Sequence, residues 1–304
     1  MTMRITEGMT ARTVLADLGA NKARLTKTQR EISSGERITK PSDDPFGTAR
    51  TLQLSGELEG FQQYKENVSD GNGWVTATET ALSQISEVVQ RARELLVQAG
   101  NDSNGQVAKE GIAAEIEALT EAVKQEADVT YDDRYIFSGT ETETRPYELG
   151  ENDEYSGNEG SIVRVIGAGV SVGVNVNIQS LLGEGAGAED NKLLDVLRDI
   201  ATDLRGGTEE NAEALRGTDL ERLSDNLDEL TRVRAVVGAT TNRLATAGTR
   251  LEQLEESSLS ELTDVRDTDM TEALVNYSTE QNAYEAALKV GATIIQPSLM
   301  DFLS

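Results

Sequence analysis

Cysteine and histidine are both absent from the 304 residues. Their absence removes disulfides, thiol nucleophiles, the usual zinc ligand sets and any imidazole general base. An enzyme built from this chain would be left with carboxylate, lysine, tyrosine, serine and threonine chemistry. With 54 acidic residues, carboxylate pairs arise by chance, so no single pair singles out a catalytic site. No cofactor or metal is expected. Aromatic residues make up only 4% of the chain, with Trp74 as the single tryptophan. A compact globule of this length would carry more large rings, because they dominate core burial. Ala, Leu, Val and Ile supply the apolar surface instead, which suits narrow helix–helix seams and an extended molecule. Basic residues are scarce against acidic ones, giving a net charge of −26 with no basic patch. A nucleic-acid partner is therefore not expected. No stretch approaches the 18 or so apolar residues of a membrane span. The first twelve residues, Met1 to Arg12, contain no apolar core of a general secretory signal, so none is expected.

Four prolines, at positions 41, 45, 146 and 297, all avoid the periodic stretches. Residues 10–33 place Ala11, Val14, Leu18, Asn21, Leu25, Thr28 and Ile32 at alternating spacings of three and four. Two of these seam positions are polar, so the helix is marginal without a partner. A turn over Pro41–Pro45 precedes a helix over 46–69, a polar break at Asp70–Gly73 and a further helix over 74–99. After a turn at Gly100–Gly105, Ile112, Ile116, Leu119 and Val123 mark a helix that returns antiparallel. Glycine then becomes dense and the apolar period falls to two. Val170, Val172, Val174, Val176 and Ile178 predict a half-buried strand, Ile162–Ile166 a second and Thr144–Leu149 a third. Helix resumes at Leu193, Leu197, Ile200 and Leu204. A long seam then runs from Leu220 through Leu223, Leu230, Val237, Leu244 and Leu251 to Leu254. A phase break at Asp264–Asp269 leads to a last helix ending near Gln296 and Pro297.

The expected fold is mainly α: an elongated antiparallel helical bundle or coiled coil with paired N- and C-terminal helices and a small β-rich insert. Three regions are expected. Residues 1–62 with 252–304 form a terminal assembly region, 63–137 with 189–251 a helical rod, and 138–188 the insert. Charge supports the terminal pairing. Residues 1–60 carry nine basic and eight acidic side chains, and 251–304 carry two and eleven. A near-neutral strip against an acidic one favours association and register. Asp70–Gly73 and Asp267–Asp269 faintly resemble calcium loops but lack the spacing and terminal glutamate, and both read as turns.

Three blocks carry a family resemblance. Ser34 to Pro45, SGERITKPSDDP, resembles the signature near the start of flagellin-type proteins. Its functional positions are Arg37, Pro41, Asp43, Asp44 and Pro45, with Asp43 or Asp44 capping the next helix. Arg134 to Tyr147, RYIFSGTETETRPY, resembles the helix-to-β transition of flagellar hook–filament junction proteins, which are relatives of flagellin. Tyr284 to Leu303, with its Gln-Pro-Ser-Leu step, is similar to the end of that same group and unlike the usual flagellin ending. The resemblance implies a structural subunit without catalytic activity, located outside the cell in the bacterial flagellum. It implies export through the flagellar type III apparatus without a cleavable signal peptide. It also implies terminal helices that order only on assembly.

The implied partners are further copies of the chain in an axial ring, the preceding junction protein, flagellin and an export chaperone. The expected interface residues are Leu18, Leu25 and Ile32 near the N-terminus, and Leu274, Tyr277, Gln281, Tyr284, Leu288 and Ile295 near the C-terminus. Tyr277, Gln281, Tyr284 and Leu288 could serve equally as a chaperone face. Flagellin, or a minor filament subunit, is the nearest alternative. A secreted adhesin or glycan-active protein is the alternative of another class. It would need a cleft of carboxylates and aromatics, and the insert offers only Tyr147 and Tyr155.

Overall fold

The computed structural model describes residues 7–100, 105–150, 153–185 and 190–295. Its helices are α1 (Glu7–Ser34), α2 (Pro45–Ala99), α3 (Gln106–Ala127), α4 (Gln179–Leu182), α5 (Leu193–Gly206), α6 (Glu209–Arg216), α7 (Thr218–Arg266) and α8 (Met270–Ile295). Two antiparallel hairpins lie between α3 and α4: β1 (Thr130–Tyr131) with β2 (Arg134–Tyr135), and β3 (Val163–Gly167) with β4 (Val170–Gly173). The expected turn at Gly100–Gly105 falls largely on 101–104, outside the described residues. Contacts group residues 1–60 with 254–304 in one unit and 61–253 in the other.

The expected break at Asp70–Gly73 does not exist, because α2 runs unbroken for 55 residues. Glycine disfavours a helix by about 1 kcal/mol, and here close packing explains Gly71 and Gly73. A Cβ on Gly71 would sit 3.3 Å from Val174 and 3.4 Å from Leu244, and one on Gly73 would overlap the Tyr131 ring. The glycines let α2 approach the β1–β2 hairpin, α7 and the segment just after β4. Trp74 beside them is buried and meets Tyr131 edge-on, with ring centroids 6.0 Å apart. Asp70 is a helical residue paired with Arg164 on β3, so it belongs to no turn.

The insert also departs from expectation. Thr144–Leu149 forms no strand and contributes one isolated bridge, Tyr147 to Tyr155. Pro146 has no N–H for a ladder, and Tyr147 is drawn inward by a 2.6 Å hydrogen bond from its hydroxyl to the Gly183 carbonyl. The strand expected over Val170–Ile178 pairs only as far as Gly173. Beyond it the Asn175 side chain accepts from the Ile162 N–H (2.7 Å) and donates to the Gly160 carbonyl (2.7 Å), replacing the ladder. The β1–β2 hairpin precedes the region read as β. Its turn residues, Asp132 and Asp133, both have positive φ (51° and 59°). Such a turn is usually announced by Asn-Gly or Asp-Gly, and that signal is missing here.

The unit 61–253 has one hydrophobic core. Leu82, Ile85 and Leu96 of α2, Ile116 and Val123 of α3, Leu197 and Leu204 of α5 and Leu223, Leu230 and Leu244 of α7 all join it. Phe137, Ile166, Val172, Val174 and Ile178 from the insert join the same cluster. On α7, Leu223, Leu230, Val237, Leu244 and Leu251 repeat every seven residues and all are buried, as a coiled-coil seam requires.

Candidate assembly interface

The segment Ser34–Pro45 is a clamp as well as a turn. Gly35 closes α1 in a left-handed conformation (φ 75°), which glycine adopts at no steric cost. The next backbone groups cross to the α7–α8 joint. The Thr268 N–H donates to the Gly35 carbonyl (2.9 Å) and the Arg37 N–H to the Arg266 carbonyl (2.7 Å). The Arg37 guanidinium adds a 2.7 Å bond to the Val265 carbonyl and a 3.4 Å contact with Asp44. Arg50 pairs with Glu261 (2.9 Å) a few residues further along.

Asp44 is the cap of α2, accepting from the Gly47 N–H at 2.8 Å. That N–H, with the Arg37 guanidinium, holds its carboxyl below the ordinary carboxylate range. Asp43 closes the preceding turn, accepting from the Lys40 N–H (3.0 Å) and the Thr39 hydroxyl (3.1 Å). Pro45 takes the first helical position, where a missing N–H costs nothing, and Pro41 lies exposed in the turn. Asp269 caps α8 in the same manner, and the N–H groups of Glu272 and Thr271 lower its pKa.

Beyond the clamp, α1 and α8 pair antiparallel. Thr28 donates to the Glu280 carboxylate at 2.8 Å. Nearer the N-terminal end of α1, a Cβ on Gly291 would lie 3.2 Å from Val14 and 3.4 Å from Leu18. Leu18, Leu25 and Ile32 are half-buried on this seam. On α8 the shielded positions are Ala273, Tyr277, Glu280, Tyr284, Ala287 and Gly291, alternating by four and three.

The C-terminal residues expected to share one seam are therefore split. Tyr277 and Tyr284 are half-buried, while Leu274, Gln281 and Leu288 lie one position round the helix and are exposed. The Ile295 side chain and the block Gln296 to Leu303 lie outside the described residues. The sequence reading missed Ala273, Ala287 and Gly291, because it weighted large side chains at positions where small ones let the helices approach. It also missed the Thr28–Glu280 bond, whose trace is a polar residue at a seam position on each helix.

The insert tyrosines do not line a cleft. Tyr147 is fully buried, and Tyr155 donates to the Phe137 carbonyl at 2.8 Å. Burial raises both pKa values, that of Tyr155 to about 12. They are internal props, and a glycan site loses its only aromatics. No helix among the described residues is long and apolar enough to cross a membrane.

Two family models match this arrangement of paired ends. Residues 5–142 match the bacterial flagellin N-terminal helical region and residues 220–303 the bacterial flagellin C-terminal helical region. The chain belongs to the bacterial flagellin family. Flagellin-family proteins are structural components of the bacterial flagellum, an extracellular assembly, and this subunit is one of them.

Among relatives, "Flagellin" of Bacillus subtilis is 26% identical over 91% of this chain and 91% of its own length. "Flagellar hook-associated protein 3" of Salmonella typhimurium is 25% identical over 94% of this chain and 95% of its own. Among solved structures, a putative flagellar hook-associated protein from Vibrio parahaemolyticus superposes with a TM-score of 0.66 at 18% identity. It covers 74% of this chain and 100% of that one. Bacillus cereus FlgL superposes with a TM-score of 0.58 at 23% identity, over 69% of this chain and 99% of that one. The flagellin family models thus span α1–α3 and α7–α8, and leave 143–219, with β3, β4 and α4–α6, unmatched.

Proposed function

We propose that this flagellin-family subunit joins the flagellar hook to the filament, assembling axially with further copies of itself and performing no catalysis. The observation that carries an assembly role is the α1–α8 pair. It is antiparallel and clamped at the signature turn, yet leaves Leu15, Leu274, Val275, Leu288 and Val290 exposed. Apolar side chains on a helix pair of this kind fit further helices supplied by neighbouring subunits. The terminal region, 1–62 with 252–304, is the assembling part. Residues 63–137 with 189–251 are the helical domain and 138–188 its β-rich insert.

The junction reading, over the filament reading, is supported by the likeness in fold to hook-associated proteins across nearly their whole solved length. The Gln-Pro-Ser-Leu ending supports it too. The implied neighbours are the preceding junction protein on one side and flagellin on the other. Export then runs through the flagellar type III apparatus, with the exposed Leu274, Gln281 and Leu288 stripe of α8 held by a chaperone before assembly. Similarity to the Bacillus subtilis flagellin favours the filament reading, and one experiment separates the two. Gold-labelled antibody against the full chain, applied to intact flagella, is expected to mark a single narrow zone at the distal end of the hook. Label along the whole filament would overturn the junction assignment in favour of a filament subunit.

A further inference from the structure

Of the exposed large apolar side chains among the described residues, Phe46 is the most exposed, at 90%. It stands almost wholly in solvent in the first turn of α2, beside the signature turn. Aromatic rings dominate interface energetics, because each can bury about 150–250 Å². The charges around this knob are largely paired. Arg37 meets Asp44 and Arg50 meets Glu261, and Asp43 accepts from the Lys40 N–H and the Thr39 hydroxyl. Lys40 is exposed, and its amine has no carboxylate partner among the described residues.

An open groove of about 540 Å³ lies between α2 and the end of α3. Gly73, Ala77 and Ala81 line it and recur every fourth residue of α2, so they share one face, from which no long side chain fills the space. Val129, just past α3, lines it too. Among the described residues its one charged group is Glu126, which has no cationic partner there. A second groove, of about 310 Å³ between α2 and α7, is flanked by Lys65 and Glu252 together.

Two copies of a chain with a net charge of −26 repel over most of their surfaces. Contact is favoured where unpaired charges of opposite sign meet, and Lys40 and Glu126 supply one of each. We propose that Phe46 of one copy seats in the α2–α3 groove of the next, with Lys40 facing Glu126 across the contact. This deepens the assembly reading, on which it rests, by naming the two patches that meet. Knob and groove are different surfaces, so each copy offers a knob to one neighbour and a groove to another. Heterologous contacts of that kind generate rings or helical arrays rather than closed pairs. The smaller groove already carries both signs of charge and gives Lys40 no such preference.

Because the chain has no cysteine, thiol cross-linking tests the contact directly. Flagella are isolated from cells whose only copy of the chain carries Phe46→Cys with Thr80→Cys, and are treated with a short bis-maleimide. Thr80 lines the groove and, like Phe46, is exposed, so neither substitution touches the core. A ladder of covalent dimers and higher multimers is expected on a denaturing gel, while each single variant stays monomeric. Ala49→Cys with Thr80→Cys keeps the phenyl ring in place, and should give the same ladder. Dimers from Phe46→Cys alone would overturn the proposal by showing knob against knob. So would a ladder from Phe46→Cys with Thr249→Cys, in the smaller groove, but not with Thr80→Cys. Monomer from every pair, with the chain present in the isolated flagella, would refute this contact and leave the assembly reading standing. Isolated flagella lacking even the unsubstituted chain would remove that reading and the contact with it.

Discussion

Replacing Lys124 with alanine is expected to destabilise the subunit by about 3–5 kcal/mol, the usual loss when one partner of a buried ion pair is removed. The Lys124 side chain has no solvent exposure, and its amine lies 2.9 Å from Asp153 and 2.7 Å from Glu121. It also donates to the carbonyls of Gly150 (2.8 Å) and Glu148 (3.3 Å). Alanine would leave those two carbonyls without this donor and Asp153 with Arg198 as its remaining cation. Lys124 belongs to α3, whereas Glu148, Gly150 and Asp153 belong to the insert, so the amine fastens one to the other. Because the insert shares the core of 61–253, the loss should appear in a single cooperative urea transition. A Lys124→Met, Asp153→Leu double variant removes both charges and is expected to recover most of the stability. A loss below about 1 kcal/mol in Lys124→Ala would contradict this account of the buried amine.

Substituting Leu274 and Leu288 together with glutamate is expected to abolish assembly while leaving the isolated subunit unchanged. Both side chains are exposed, 54% and 43% respectively. Surface substitutions of this kind usually alter stability by no more than about 0.5 kcal/mol, and glutamate is a good helix former. If the exposed stripe is where a neighbouring subunit packs, two desolvated carboxylates there would be prohibitive. Thermal melting of the purified variant should match wild type. Cells carrying it should release the variant into the medium and fail to swim. Normal motility would show that α8 meets its neighbours through another face.

How much of this was legible in the sequence depends on the range of the interactions. The α7 seam is a seven-residue repeat of large apolar residues, and periodicity alone reveals it. The turn and cap at Ser34–Pro45 are visible because glycine, proline and aspartate have fixed local roles, while the bonds from it to Val265, Arg266 and Thr268 are not. What failed was decided by distant residues. Gly71 and Gly73 look like a helix break until Val174, Leu244 and Tyr131 are placed against them. Lys124 reads as an ordinary charged position, since its partners in the insert, Glu148, Gly150 and Asp153, lie between 24 and 29 residues away on an irregular segment. In the interface, spacing placed Leu274, Tyr277, Gln281, Tyr284 and Leu288 of α8 on one seam, whereas α1 covers only the side that carries Tyr277 and Tyr284. The small residues Ala273, Ala287 and Gly291 decide that.

The central claim is that this flagellin-family chain is the structural link between hook and filament. Deleting its gene in the source bacterium and imaging the cells by electron microscopy tests that claim most directly. The account predicts intact hooks without filaments, flagellin shed unpolymerised into the medium, and loss of swimming that returns when the gene is restored. Full-length filaments on normal hooks in the deletion strain would contradict it.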